Sequence, residues 1–243
     1  MGLLTDFPFV SDDHRANYVA AMLAPLLVRA VGGTLPLLVI DAPMLGSGKT
    51  LLATILRHVH GGVHRTRLPD DDAEIRKQIT SVLTTTTGAV IVFDNVTGTL
   101  RAGDLSNLLT SRTWSDRPLG RTDTVQATND RLWCVTGNNV ALGGDLARRG
   151  MWVTIDADEA RPWERREFAI QNLEAHVLAN RASILTALLT LVRAWVVAGA
   201  QVERVRSDSF APFVHAAQGV LRVAGIDGEV MSAESNGADI GAD

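Results

Sequence analysis

The sequence predicts an α/β fold: a mostly parallel central sheet flanked by helices, followed by a helical C-terminal part. Three observations carry this. Short unbroken apolar runs alternate with segments of helical apolar spacing between residues 14 and 155, the order that builds a parallel sheet with covering helices. A glycine-bearing loop, GSGKT at 46–50, separates one such run from a helix. From about residue 159 onward no strand-like run remains.

The elements follow in order. HRANYVAAMLAPLLVRAV, 14–31, has helical spacing with Pro25 as a point of kinking and Gly32-Gly33 as a stop. LPLLVI, 35–40, is a run suited to a strand covered on both faces, and LLATILRHVH, 51–60, reads as a helix. DDDAEIRKQITSVL, 70–83, opens on aspartates that suit a helix N-terminus, and AVIVF, 89–93, is a second buried strand. DLSNLLTS, 104–111, reads as a short helix, 113–131 as turn-rich, and LWCV, 132–135, and MWVTI, 151–155, as further strands. Beyond them, 168–199 and 207–225 read as helices, and the small, acidic end from 227 to 243 as a loose tail.

Composition narrows the class. At 243 residues the chain buries a full core, and 46% hydrophobic with 21% charged residues is ordinary for a soluble domain. A net charge of -4 argues against general attraction to nucleic acid over the whole surface. The lone Cys134 excludes an intrachain disulfide framework and multi-thiolate zinc, which fits a reducing, cytoplasmic setting. The N-terminus has no secretion-signal pattern, and Arg193 interrupts the most apolar stretch, 182–200, so a buried helix rather than a membrane span is expected there.

Chemistry concentrates at the glycine loop. Gly46, Ser47, Gly48, Lys49, Thr50 and Leu51 nearly complete a P-loop, with Pro43 where the first glycine normally stands. Glycines let successive backbone N–H groups wrap a phosphate at the positive end of a helix. Lys49 would reach the β- and γ-phosphates of ATP, and Thr50 would offer a hydroxyl to Mg2+. Pro43 donates no N–H, but the cradle draws on residues 46–50, so its effect is modest. In VIVFDNV, 90–96, Asp94 ends a buried strand and would hold the magnesium as a Walker B aspartate does. Asn95 follows, where many ATPases carry a glutamate; an amide can orient water but cannot take its proton. Binding is therefore more securely read than fast hydrolysis.

A third strand ends in TGNN, so an amide there can reach a γ-phosphate or the attacking water: Asn138 first, Asn139 second, against a plain turn role for both. Arg148 and Arg149 follow ten and eleven residues after Asn138. This series resembles an AAA+ P-loop ATPase core with sensor 1 and an arginine finger. More narrowly, WSDRPLG, TGNN and GDLARR resemble the helicase-like ATPase modules of phage and mobile-element primase-helicase proteins, which are related to superfamily 3 helicases.

The resemblance implies an AAA+-like core at 35–158; the residue pattern sets an N-terminal helical segment, 1–34, before it and a helical part at 159–226 with a flexible tail at 227–243 after it. The resemblance also implies a homo-oligomeric ring, most often a hexamer, in which Arg148 or Arg149 completes the neighbour's ATP site. Pairing with Asp145 or Asp156 is the alternative for those arginines. In such helicases a hairpin before sensor 1 contacts DNA, which makes Arg117 and Arg121 candidate phosphate contacts and Trp114 packing at the hairpin base. From Arg112 to Arg149 six arginines face four aspartates, a local +2 that a solvated hairpin would explain equally.

His58, His60 and His64 lack a ligand spacing and read as helix-end histidines, and Arg76 and Lys77 as a solvated helix face. Glu74 and Asp104 are possible substitutes for the missing water-activating glutamate, without a spacing argument. The reading is an ATP-driven ring motor on single-stranded or forked DNA, the helicase ATPase domain of a phage or mobile-element replication protein with a primase or other replication partner. The alternative is a nucleotide-driven AAA+ switch or remodeller acting on a protein partner; a small-molecule P-loop kinase is third.

Overall fold

A computed structural model describes residues 2–61, 65–66, 68–69, 71–117, 123–157, 167–202 and 208–236. Helix α1 (Asp12–Val31) leads to strand β1 (Leu37–Asp41), and α2 (Lys49–His60) follows the glycine loop. Then come β2 (Arg65–Thr66), α3 (Asp72–Thr85), β3 (Val90–Val96), β4 (Thr99–Leu100) and α4 (Gly103–Leu109). Strands β5 (Thr113–Asp116) and β6 (Val125–Thr128) precede β7 (Leu132–Gly137), β8 (Ala141–Leu142), a 3-10 turn at Gly144–Arg149 and β9 (Gly150–Thr154). The C-terminal part holds α5 (Leu173–Ala179), α6 (Arg181–Val197), α7 (Ala211–Val223) and α8 (Ala233–Asn236).

Five strands form one parallel sheet in the order β2-β3-β7-β1-β9. Every residue of β1 and β7 is buried, as unbroken apolar runs require when both faces are covered. Phe93 stacks on Trp133 with ring centroids 5.9 Å apart, locking β3 to β7. Helix α2 packs over β1, β3 and β7, while α1 packs on β9 and α7. Tyr18 ties the two helices by donating to the Leu52 carbonyl at 2.9 Å. With the glycine loop joining β1 to α2, this is a P-loop NTPase fold. Because β7 lies between β1 and β3, the loops after all three open on the same sheet edge, where α/β proteins form ligand crevices.

Several expectations are corrected. The segment 168–199 is not one helix: α5 and α6 meet at Asn180 with a bend of 73°. Nor is α6 a buried helix, since Leu188 and Trp195 are buried while Leu189, Val196 and Val197 are exposed. No single helix among the described residues is long and apolar enough to cross a membrane. Pro25 lies inside α1, which continues to Val31.

The expected loose tail is packed over residues 227–236. Asn17 accepts the Met231 N–H at 2.7 Å and donates to the Trp152 carbonyl at 2.8 Å, stitching the segment to α1 and β9. Val230 and Met231 are buried. At Gly228, with φ of +102°, a Cβ would stand 2.3 Å from the Asp12 carbonyl oxygen, so the glycine permits this close approach. Residues 237–243 lie outside the described residues.

Arg76 is not merely solvated: it pairs with the buried Asp116 at 2.8 Å, fastening the β5–β6 hairpin to α3. Lys77 pairs with Glu74 on the exposed side of the same helix.

Candidate nucleotide-binding site

The loop after β1 turns because Gly46 and Gly48 adopt φ of +76° and +101°, in the left-handed region that costs glycine nothing. Ser47 Oγ and Lys49 Nζ both donate to the Met44 carbonyl, at 2.7 and 3.1 Å, so the loop closes without a glycine at Pro43. Lys49 is buried, and burial pulls its ammonium below the ordinary value while the carboxylates of Asp41 and Asp94 pull it back up.

Opposite the loop, Asp94 Oδ1 accepts from the Thr50 hydroxyl at 3.2 Å and from the Thr136 hydroxyl at 2.7 Å. Asn95 has φ of +60°, which asparagine tolerates better than most residues. Asn138 donates to the Ala42 carbonyl at 3.1 Å, and Asp41 Oδ1 accepts the Val140 N–H at 3.0 Å, so the turn after β7 is tied twice to the end of β1. On the other side Gly137 lets β7 approach β3 closely, since a Cβ there would stand 2.4 Å from the Val96 carbonyl oxygen.

The result is one cleft of about 610 Å³ lined by Gly46, Ser47, Gly48, Lys49, Thr50, Leu51, Asp94, Asn95 and Asn138. Asn139 is exposed at φ of +50° and does not line it; its geometry is that of a turn. Glu74 and Asp104 are also not among its lining residues. A second, largely apolar slot of about 200 Å³ adjoins the cleft, since Gly46, Ser47, Gly48 and Leu51 line both. Its walls include Phe7 and Pro8 from the N-terminal segment and Phe168, Ile170 and Leu173 from the C-terminal part.

Sequence reasoning missed several lining or supporting residues. Asp41 left a signal, an acid ending an apolar run; Thr136 left one too, a hydroxyl between a buried strand and the TGNN glycine. Thr54 and Arg57 follow Thr50 along α2, and Glu174 arrives from α5, where it meets His58 Nε2 at 2.7 Å. Nothing local marks Glu174, because its place depends on how α5 docks. As for metals, the hydroxyl of Thr50 and the carboxylate of Asp94 are hard oxygen donors suited to Mg2+. His60 Nε2 meets the Met22 carbonyl at 2.9 Å, and among the described residues no group of three or more His, Cys, Asp or Glu side chains is placed to hold a metal ion. His64 lies outside the described residues.

The two arginines diverge. Arg149 is largely buried and donates to the Ser106 carbonyl, to Thr110 Oγ1 at 3.3 Å and to Asp145 at 3.2 Å. Arg148 is exposed and touches Asp145 at 3.2 Å from the same turn. On the hairpin, Trp114 is buried at the base and donates to Thr80 Oγ1 at 2.9 Å. Thr80 in turn donates to Asp116, whose Oδ1 also accepts the Arg117 N–H at 2.8 Å. Arg117 is exposed, and Arg121 lies outside the described residues.

No family model and no curated protein matches the sequence. Among solved structures, a JCV helicase with a bound small molecule is similar at 16% identity and a TM-score of 0.43, covering 87% of this chain and 60% of that one. An inhibitor-bound JCV helicase is similar at 18% identity and a TM-score of 0.42, with 86% and 59% covered. The chain thus spans about three fifths of the length of those helicase chains.

Proposed function

We propose that this chain binds ATP with Mg2+ and hydrolyses it as the motor of a homo-oligomeric AAA+ ring, a hexamer in the family it resembles. In this reading it acts on single-stranded or forked DNA as the helicase ATPase domain of a phage or mobile-element replication protein, beside a primase or other replication partner. One observation supports it above the rest: the ends of three adjacent parallel strands bring a P-loop lysine, a strand-end aspartate and an asparagine amide to a single cleft.

Each residue then has a task. The backbone N–H groups of residues 46–51 and the Lys49 ammonium bind the phosphates. Thr50 and Asp94 would hold the metal, which when bound offsets phosphate charge and orients the oxygens. Asn138 presents its amide toward the γ-phosphate end of the cleft, anchored by the Ala42 carbonyl. The apolar slot beside Leu51 receives the base. Arg148, exposed and in a surface ion pair with Asp145, reaches the neighbour's nucleotide; Arg149 holds the turn that carries it.

The test is the mass of the assembly with a nonhydrolysable ATP analogue, with and without single-stranded DNA. A nucleotide-dependent multimer that DNA further stabilises is the expected result. A strict monomer under every condition overturns the ring. Asn95, in place of a proton-accepting glutamate, favours a second reading, a nucleotide-driven switch or remodeller acting on a protein partner. Assembly with nucleotide but indifference to DNA would select it.

A further inference from the structure

Thr136 lines the cleft between the strand that carries Asp94 and the turn that carries Asn138. It is the penultimate residue of β7 and is 2% exposed. The pairing of β3 with β7 runs in register from Val90↔Leu132 to Phe93↔Val135 and resumes at Val96↔Gly137. Three residue steps on β3 therefore match two on β7, and the extra residue is a bulge at Asp94-Asn95. Bulges leave an N–H without its ladder partner and re-aim a side chain.

Here the Thr136 hydroxyl does both jobs. Its Oγ1 accepts the Asn95 N–H at 3.1 Å and lies 2.7 Å from Asp94 Oδ1. A carboxylate only accepts, so the hydroxyl proton points to Asp94. From across the cleft the Thr50 hydroxyl donates to that same oxygen at 3.2 Å. Asp94 is thus aimed by two hydroxyls, one from the phosphate loop and one from the neighbouring strand, while the left-handed Asn95 that follows is secured by the second.

We propose that Thr136 is a positioning residue: by filling the β3 bulge it fixes the Asp94 carboxylate in the orientation that holds Mg2+ with the nucleotide. The role rests on the reading of the cleft as a Mg2+-nucleotide site. Partners that orient a metal-binding side chain typically change metal affinity about 10–100-fold when removed. Thr136→Val keeps the shape and the strand preference but deletes both hydrogen bonds; Thr136→Ser keeps the hydroxyl.

The experiment measures binding of a fluorescent ATP analogue to the full chain, first in EDTA and then over a Mg2+ titration. For Thr136→Val the Mg2+ concentration giving half of the added affinity should rise about tenfold, while affinity in EDTA stays within about twofold of the wild type. Thr136→Ser should restore the wild-type titration. In an Asp94→Asn background, Thr136→Val should change the Mg2+ response no further, since its object is gone. An unchanged Mg2+ titration for Thr136→Val, or an equal loss of affinity with and without Mg2+, overturns the positioning role. A wild-type chain that binds the analogue with no response to Mg2+ overturns the reading of the site itself, and this role with it.

Discussion

At the scale of single residues, the two adjacent arginines separate by burial. Arg149 spends its guanidinium on the Ser106 carbonyl, Thr110 and Asp145, so it fastens the turn after β8 to α4. Its replacement by alanine should cost about 2 kcal/mol in urea unfolding, because hydrogen bonds from a charged donor to a buried carbonyl are lost. Arg148→Ala should leave the unfolding midpoint unchanged and remove ATPase activity in the assembled state. Equal stability of the two variants would contradict this division. The asparagines separate in the same way. Asn138 is tied to Ala42 at the cleft, whereas Asn139 turns the chain at φ of +50°. The TGNN string alone left both open, since asparagine suits turns and phosphate contacts alike.

At the scale of elements, the β5–β6 hairpin is mounted on α3 through Asp116, Arg76, Thr80 and Trp114. Helix α3 is in turn held at its C-terminal end by Arg131, which donates to the Val82 and Leu83 carbonyls and to Thr86 just before β7 begins. Asp116→Ala should therefore destabilise the fold by about 2 kcal/mol. Arg117→Ala, on the exposed side, should lower the stimulation of ATPase activity by single-stranded DNA. Full stimulation in that variant would remove Arg117 from the DNA interface. The hairpin was expected from the helicase resemblance and the turn-rich stretch before β7; its anchor was not, because Arg76 and Asp116 are 40 residues apart and belong to different periodic patterns.

At the scale of the whole molecule, buried titratable groups tie stability to pH. Burial lowers His60 to about 4, outweighing its hydrogen bond to Met22, and lowers His14, which accepts the Thr154 N–H at 2.9 Å. Both are held neutral in the fold, while the unfolded chain takes up protons below about 6.5. The contribution of each is present above that pH and is lost as pH falls through its own lowered value, about 4 for His60. For Asp116 burial opposes ionisation, but bonds from Thr80, Arg76 and the Arg117 N–H hold its carboxyl below the ordinary 3.8; its contribution persists above that value and disappears under it. Urea unfolding should therefore show stability falling between pH 6.5 and 4, on the order of 2–3 kcal/mol from His60. In His60→Gln the slope over that window should be shallower; an identical slope would exclude His60 as its source.

The sequence by itself determined the alternation that makes a parallel sheet, because strands buried on both faces must be apolar throughout. It also determined the glycine loop, because left-handed backbone at Gly46 and Gly48 requires glycine. Local chemistry of that kind is written in neighbouring residues. Only the tertiary structure decided that β7 runs between β1 and β3, that Thr136 grips Asp94, that Glu174 reaches the cleft from α5, and that residues 227–236 pack on α1 and β9. Each of these is a contact between distant parts of the chain. Such contacts are chosen by burial and hydrogen-bond satisfaction over the whole core, which no short stretch of sequence encodes.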